Sequence, residues 1–486
     1  MPFIHKFQSY NKEHYIYDVN TNQIIHVDQI VFDIIDDFLL LSNGDILSKW
    51  KNRYKRQIIE TALRSINLFH KKGIFSTNRP MRMLRPNYDE FFHYYKSEIG
   101  AVILNITEQC NLRCKYCSFS GTYSYERKHS STSMSDEIIK KFLSFYLSKL
   151  HKSKERHFAF YGGEPLLAFK KIQNIIQILS CSKKSKFSFS VDTNGTMLKK
   201  KEDIDFLIKN DCRLQISLDG PKEIHDSYRV DIKANPTFDK IIRNLYLIQK
   251  MDKKYYINKL CFIITIAPKS DLLAINEFFS KNELLTEHAL IANFIHPFDT
   301  VFFDIYGKYT TEQMQQLQNL NRNYIFARAN NKEPTRFEKS IFEKSLIKIH
   351  RRTFGKPDAF ISPNGICQPG LKRLFINLEG KFHPCERVGQ AFNIGDVDNG
   401  FNLAKIKTMI EDYINLSEEN CVKCWAVRLC GICYGGARKG SGFDSQRKKE
   451  HCTIILNNLH NSLITYATIM ETNSKAFDFA KNIIEK

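Results

Sequence analysis

No apolar run in this 486-residue sequence approaches the ~20 residues needed to cross a bilayer, which argues against a helical membrane span. The first residues, MPFIHKFQSYNKEHY, have neither the apolar core nor the small-residue cleavage site of a secretory signal. The expected location is therefore cytoplasmic, with no membrane partner. Internal repeats and low-complexity tracts are also missing, and a balance of 43% hydrophobic to 26% charged residues is that of a globular chain. Carboxylates are in short supply: 52 Asp and Glu face 72 Lys and Arg, a formal net charge of +20. Such a surplus draws anionic partners. The cations are spread along the chain with no base-stacking or groove-reading motif, so nucleic acid is not expected and an acidic peptide suits the field better.

Cysteine is what the sequence has in excess. Of thirteen, three fall within residues 110–117 and seven within 367–452, leaving Cys181, Cys212 and Cys261 isolated. Disulfides are disfavoured in a reducing compartment, so clustered thiols indicate metal or catalysis. The isolated three read as small buried hydrophobes, with Cys212 or Cys261 able to face a barrel interior.

Four regions follow from the patterning. Residues 1–85 read as a small α+β unit, with strands HYIYDV and QIIHV around the turn NTNQ and helices at about 31–41 and 55–72. Residues 96–305 alternate strands (AVILNIT, HFAFYG, FSFSVDT, CRLQISLD, KLCFIITIA, ALIANFI) with helices such as 135–150 and 235–250. Repeated βα units predict an α/β fold with a parallel sheet, doubly wound or closed as a barrel. Residues 306–360 read as a charged helical bridge. Residues 361–486 begin short-stranded, turn-rich and full of Cys and Gly, with so few large apolar residues that metal staples are expected.

The strand AVILNIT runs into Glu108-Gln-Cys110-Asn-Leu-Arg-Cys114-Lys-Tyr116-Cys117. Four thiolates saturate a four-iron cube, so three from one loop leave one iron open for chemistry. Cys114 and Cys117 alone also have the spacing of a redox pair, and the trio could belong to a zinc site. Tyr161-Gly162-Gly163-Glu164-Pro165 follows the second strand: glycines let a ligand approach the backbone, and a carboxylate takes an ammonium. Asp192-Thr-Asn194-Gly195 follows the third strand. Ser217-Leu-Asp219-Gly220 follows the fourth, with His225 and Arg229 beyond, all at the strand ends where barrel active sites lie.

In this order the motifs resemble those of radical S-adenosylmethionine (SAM) enzymes. The resemblance implies a partial (β/α)6 radical SAM barrel in which Cys110, Cys114 and Cys117 hold a [4Fe-4S] cluster whose open iron chelates SAM. It also implies SAM contacts from Tyr116, Gly162, Gly163, Glu164, Asn194, Ser217, Asp219 and Arg229. The later cysteines, Cys367, Cys385, Cys421, Cys424, Cys430, Cys433 and Cys452, resemble the SPASM extension, which holds two auxiliary [4Fe-4S] clusters. Its pattern assigns Cys421, Cys424, Cys430 and Cys452 to one cluster and Cys367, Cys385 and Cys433 to the other. Cys430-Gly-Ile-Cys433 is one residue shorter than the usual spacing, and 361–366 supplies no fourth Cys to the second cluster. The front unit resembles the winged-helix-like domains that recognise leader peptides.

The whole is similar to maturases of ribosomally made precursor peptides. It implies three [4Fe-4S] clusters, SAM, a precursor peptide whose leader binds the front domain, and an electron donor such as flavodoxin or ferredoxin. The expected reaction is a crosslink, thioether first and carbon–carbon or ether next. The alternatives are a formylglycine-forming sulfatase-maturating enzyme and a non-enzymatic, zinc-stabilised peptide-binding protein.

Overall fold

The computed structural model describes residues 1–96, 99–149, 155–182, 185–356, 358–362 and 367–482, so the stretch just before Cys367 and the last four residues fall outside it. Six strands, Ala101–Thr107, Arg156–Gly162, Phe187–Thr193, Arg213–Ser217, Leu260–Ile266 and Ala289–Phe294, pair in parallel, each with the next in chain order. These are the six expected barrel strands, and the α/β radical SAM fold is present.

Period-two alternation sorts their side chains. Leu260, Phe262, Ile264 and Ile266 are buried in the main core, and so are Val102, Leu104, Ile106, Phe158 and Phe160. Helices Asp136–Ser148, Phe169–Ser180, Phe238–Met251 and Leu272–Lys281 present their buried faces to the same core. Their starts are partly fixed by side chains: Ser135 accepts from Ile138 N, and Asp271 from Leu273 N and Ala274 N. The intervening strand positions, among them Ile103, Asn105, Tyr161, Asp192 and Cys261, lie on the opposite face, inside the barrel.

The C-terminal region departs from its expected construction. Strand Arg373–Ile376 adds in parallel to Ala101–Thr107, and Lys381–His383, Gly395–Asp396 and Gly400–Phe401 continue the same sheet antiparallel. Leu371, Leu374, Ile376, Phe382, Ile394, Ile406 and Ile410 therefore join the barrel's own core. Metal is not needed to supply this segment with a hydrophobic interior. Its strands borrow one by docking on the barrel edge, an arrangement that two- to four-residue strands do not reveal in sequence.

In the front unit, Ile4–Gln8, His14–Asp18 and Gln23–Val27 form an antiparallel sheet, followed by helices Gln29–Ile34, Asn43–Trp50 and Arg56–Lys71. The first strand and the middle helix were not expected, and the helix expected over 31–41 ends at Ile34. Asp18 staples the unit by accepting from Thr21 N, Thr21 Oγ1 and Phe75 N. Strand Gln23–Val27 pairs on one side only among the described residues. Helices Thr311–Ala329 and Arg336–His350, each opened by a capping box, pack against the long helix Ser445–Thr472. No helix among the described residues is long and apolar enough to cross a membrane.

Candidate active site

The loop after the first barrel strand carries Cys110, Cys114 and Cys117, and the strand after it determines how tightly that loop can sit. Gly163 N donates to Thr107 O and Glu164 N to Gln109 O, both at 2.8 Å. A Cβ on Gly162 would stand 2.1 Å from Thr107 O, and one on Gly163 would stand 2.3 Å from Gln109 O. The close approach that requires these two glycines is thus made by the cysteine loop itself. Glu164 is fully buried and accepts from Leu166 N, Thr193 Oγ1 and Asn194 N, so it ties the second strand end to the third.

Backbone and amide donors point at the sulfurs. Cys110 Sγ accepts from Leu112 N at 3.4 Å and from Asn194 Nδ2 at 3.9 Å, and Cys117 Sγ accepts from Phe119 N at 3.4 Å. Burial pushes the Cys110 thiol up to about 11 and the Cys117 thiol up to about 12, and raises Cys114 too, while the Arg229 guanidinium pulls all three back. Thiols held this way are neutral until a metal displaces their protons, which suits a donor set built for iron. Arg229 is itself buried, with Nη1 donating to Tyr116 Oη at 2.8 Å and Nε unpartnered among the described residues. Tyr116 in turn donates to Asp219 Oδ2. His225 orients this group: Nδ1 accepts from Asp219 N, and Nε2 meets Thr237 Oγ1. Cys110, Cys114, Cys117, Tyr116, Glu164, Asn194, Asp219 and Arg229 therefore lie at one end of the barrel, and Ser217 ends the fourth strand beside them.

Sequence reasoning missed the residues that line the interior below. Asn105 is fully buried, and neither side-chain polar atom has a partner among the described residues. Arg127 is 4% exposed; its guanidinium carbon lies 4.3 Å from the Phe375 ring centroid, and its Nε and Nη1 are unpartnered. The neighbouring Glu126 pairs with Arg438 and fixes that loop to the C-terminal region. Asp192 Oδ1 is unpartnered; burial, then Glu386, pushes its carboxyl up to about 7. Burial and the Arg127 charge lower the His383 imidazole to about 4. Ile103, Ala159 and Phe375 form an apolar floor against Tyr161. The polar position inside AVILNIT was a signal for Asn105. Nothing local marked Arg127, His383 or Glu386.

The remaining cysteines gather into two sets. Cys385 is raised by burial and then by its neighbours, Cys433 and Cys367 among them, whereas Cys430 responds to Cys421, Cys452 and Cys424. No three His, Cys, Asp or Glu side chains among the described residues converge where a single metal ion would sit. Of the isolated cysteines, Cys212 is core, but Cys181 is exposed at a helix end and Cys261 lies on the inward strand face. The core reading is corrected for Cys181, and Cys261 takes the alternative of facing the barrel interior. Cys181 ends a helix whose buried stripe stops at Leu179, and alternation turns Cys261 away from the core.

Comparison with known proteins follows the same outline. The cysteine-type anaerobic sulfatase-maturating enzyme of Clostridium perfringens is 27% identical over 368 residues, covering 70% of this chain and 89% of that protein. The radical SAM cyclopropyl synthase TigE of Paramaledivibacter caminithermalis is 27% identical over 136 residues, 26% of this chain and 29% of that one. The solved structure of native anSMEcpe with bound AdoMet shares the fold with a TM-score of 0.55 at 23% identity, covering 79% of this chain and 100% of that one. Residues 104–275 match the radical SAM superfamily. That match runs from the first barrel strand to the helix after the fifth, the part of the chain that carries the cysteine loop and the polar strand ends.

Proposed function

We propose that this protein is a radical SAM peptide maturase that installs a crosslink, thioether first and carbon–carbon or ether next, in a ribosomally made precursor. Cys110, Cys114 and Cys117 would hold the barrel cluster, with Tyr116, Gly162, Gly163, Glu164, Asn194, Ser217, Asp219 and Arg229 around SAM. When bound, that pair supplies a 5′-deoxyadenosyl radical by one-electron cleavage of SAM. The protein's own residues bind and orient the peptide in the interior bounded by Asn105, Arg127, Tyr161 and Asp192. Cys421, Cys424, Cys430 and Cys452 would hold one auxiliary cluster and Cys367, Cys385 and Cys433 the other, with flavodoxin or ferredoxin as electron donor.

The observation that carries the reading is a groove of about 430 Å³ on the front unit, between strand Gln23–Val27 and helix Arg56–Lys71. Val27, Ile30, Ala62, Ile66, Ile58 and Phe69 line it, and the last two are exposed. An unpaired strand edge beside an apolar groove suits a peptide added as a fourth strand, its side chains entering the groove. Arg56, Arg64 and Lys71 on that helix favour an acidic leader. One similar structure is anSMEcpe with bound AdoMet and Cp18Cys peptide. The same likeness favours a second reading, formylglycine formation on a sulfatase. Against it stands the lack of a cysteine in 361–366.

The test is anaerobic reconstitution with iron and sulfide, then incubation with SAM and dithionite. Wild type should form 5′-deoxyadenosine, and the Cys110→Ala/Cys114→Ala/Cys117→Ala protein should form none while losing roughly one third of its iron. Product formed by the triple variant would reject the assignment. Mass spectrometry of a Cys-containing precursor separates the two reactions: a crosslink removes two hydrogens and keeps sulfur, whereas formylglycine formation at cysteine loses the sulfur.

A further inference from the structure

We infer that Lys448 is a positioning residue that sets the reduction potential of the auxiliary cluster held by Cys421, Cys424, Cys430 and Cys452. The inference rests on the ligand assignment proposed above. Lys448 lies on helix Ser445–Thr472, one turn before Cys452 and on the same face. It is 4% exposed, and its Nζ donates to Cys421 Sγ at 3.3 Å. The ammonium also faces the Tyr413 ring at 5.9 Å. Among the described residues no carboxylate lies within ion-pair distance of it. A buried ammonium with no counter-charge is unfavourable. Neutral thiols cannot offset that cost, but the negative charge of a thiolate-ligated iron–sulfur unit does.

The same charge reaches two more of the four sulfurs. Burial raises the Cys424 and Cys452 thiols, and Lys448 draws both back. In the other auxiliary set Cys385 adjoins Glu386 and Cys367 lies in the field of Lys372 and Arg373, but no lysine donates to any of its sulfurs among the described residues. Reduction adds one negative charge to a cluster, and hydrogen bonds and charge at the sulfurs set how readily it is accepted. An ammonium fixed on Cys421 therefore favours the reduced form of this cluster.

The experiment is a potentiometric titration followed by electron paramagnetic resonance on reconstituted full-length protein. The Cys110→Ala/Cys114→Ala/Cys117→Ala background removes the barrel cluster signal. Two one-electron steps are expected. Lys448→Gln, which keeps a neutral donor, should shift one reduction equilibrium about tenfold toward the oxidised form, a fall of 59 mV, and leave the other in place. Lys448→Arg, which keeps the charge, should titrate like its parent. A Lys448→Gln protein with both steps unmoved overturns the proposal, as does a Lys448→Arg shift equal to that of Lys448→Gln, which would trace to packing. If Lys448→Gln fails to retain cluster iron, Lys448→Arg decides: full iron with the parental potential supports charge compensation, and loss of iron there too overturns it. Cys421→Ala is the control for the ligand assignment. If it keeps both steps, the assignment fails and the proposal with it, independently of any effect at Lys448.

Discussion

Gly163 has no room to become anything else. Its Cβ would meet Gln109 O at 2.3 Å and Glu108 O at 2.9 Å, and the loop cannot retreat without giving up the hydrogen bonds from Gly163 N and Glu164 N. Gly163→Ala is expected to cost roughly 3 kcal/mol, the upper part of the overpacking range, and to displace Cys110. Thermal denaturation and iron per chain check this: barrel-cluster iron should fall while auxiliary iron stays. Asp192 supplies a pH signature. Its carboxyl titrates near 7 in the native state and near its usual 3.8 when unfolded. Between those values the native state holds a proton that the unfolded chain has released, so this contribution to stability falls as pH rises from about 4 to about 7, and is flat above. That difference corresponds to about 4 kcal/mol. Asp192→Asn should match wild type at pH 4 and exceed it at pH 8, as read from urea midpoints at both pH values. At this scale the sequence displayed what is contiguous: the cysteine loop, Gly162 to Glu164 and the polar strand ends. Arg127, His383 and Glu386 were invisible because a charged or imidazole residue outside a long periodic element carries no mark of the cavity it will face.

Elements were legible wherever alternation or a 3.6 period could act over enough residues. All six barrel strands and the helices Asp136–Ser148 and Phe238–Met251 fall where apolar residues recur on one face. The helix expected over 31–41 failed for a physical reason: Ile30, Val31, Ile34, Ile35 and Phe38 are all buried in the front unit's core, but the helical segment itself ends at Ile34. The strand Ile4–Gln8 was missed because only Phe7 in it is fully buried, and the alternation that would reveal it is weak. Short strands were expected after residue 360, but the sheet they join was not. Each is too short to show a period; Arg373–Ile376 forms on the free edge of Ala101–Thr107, and the three strands after it add in turn, each on the one before. That edge strand also bears the cysteine loop at its end, so the C-terminal region and the barrel cluster site share one sheet. The groove beside Gln23–Val27 belongs to the same class of feature. Its lining residues come from a strand, a short helix and a long helix, and only their packing makes a cavity.

At the scale of the molecule, the front unit is not a loosely tethered module. Phe3, Phe7, Tyr17 and Val19 share a core with Ala426, Val427, Leu429, Leu463 and Tyr466, so the front sheet packs directly on the segment carrying Cys424 and Cys430. Arg428 donates to the carbonyls of Val19, Asn20, Thr353 and Gly355. His5 lies flat on Trp425, with ring centroids 3.7 Å apart and planes 6° from parallel, and its Nε2 is 2.9 Å from His460 Nδ1. Burial, then His460, lowers the His5 imidazole to about 4 from 6.5. Between those values the undocked state binds a proton that the docked state refuses, so docking weakens as pH falls from about 6.5 toward 4. The full shift corresponds to about 3 kcal/mol, reduced by solvent screening because the ring is only half-buried. His5→Phe keeps an aromatic face on Trp425 and removes the proton. Hydrogen–deuterium exchange on the full chain, comparing the two proteins at the same pH, isolates the effect. At pH 7 strand Ile4–Gln8 and residues 422–428 should be equally protected in both. At pH 5 both segments should exchange faster in wild type than in His5→Phe, in step with one another because they meet at one interface. A difference as large at pH 7 as at pH 5 would assign the effect to packing at Trp425 rather than to the proton.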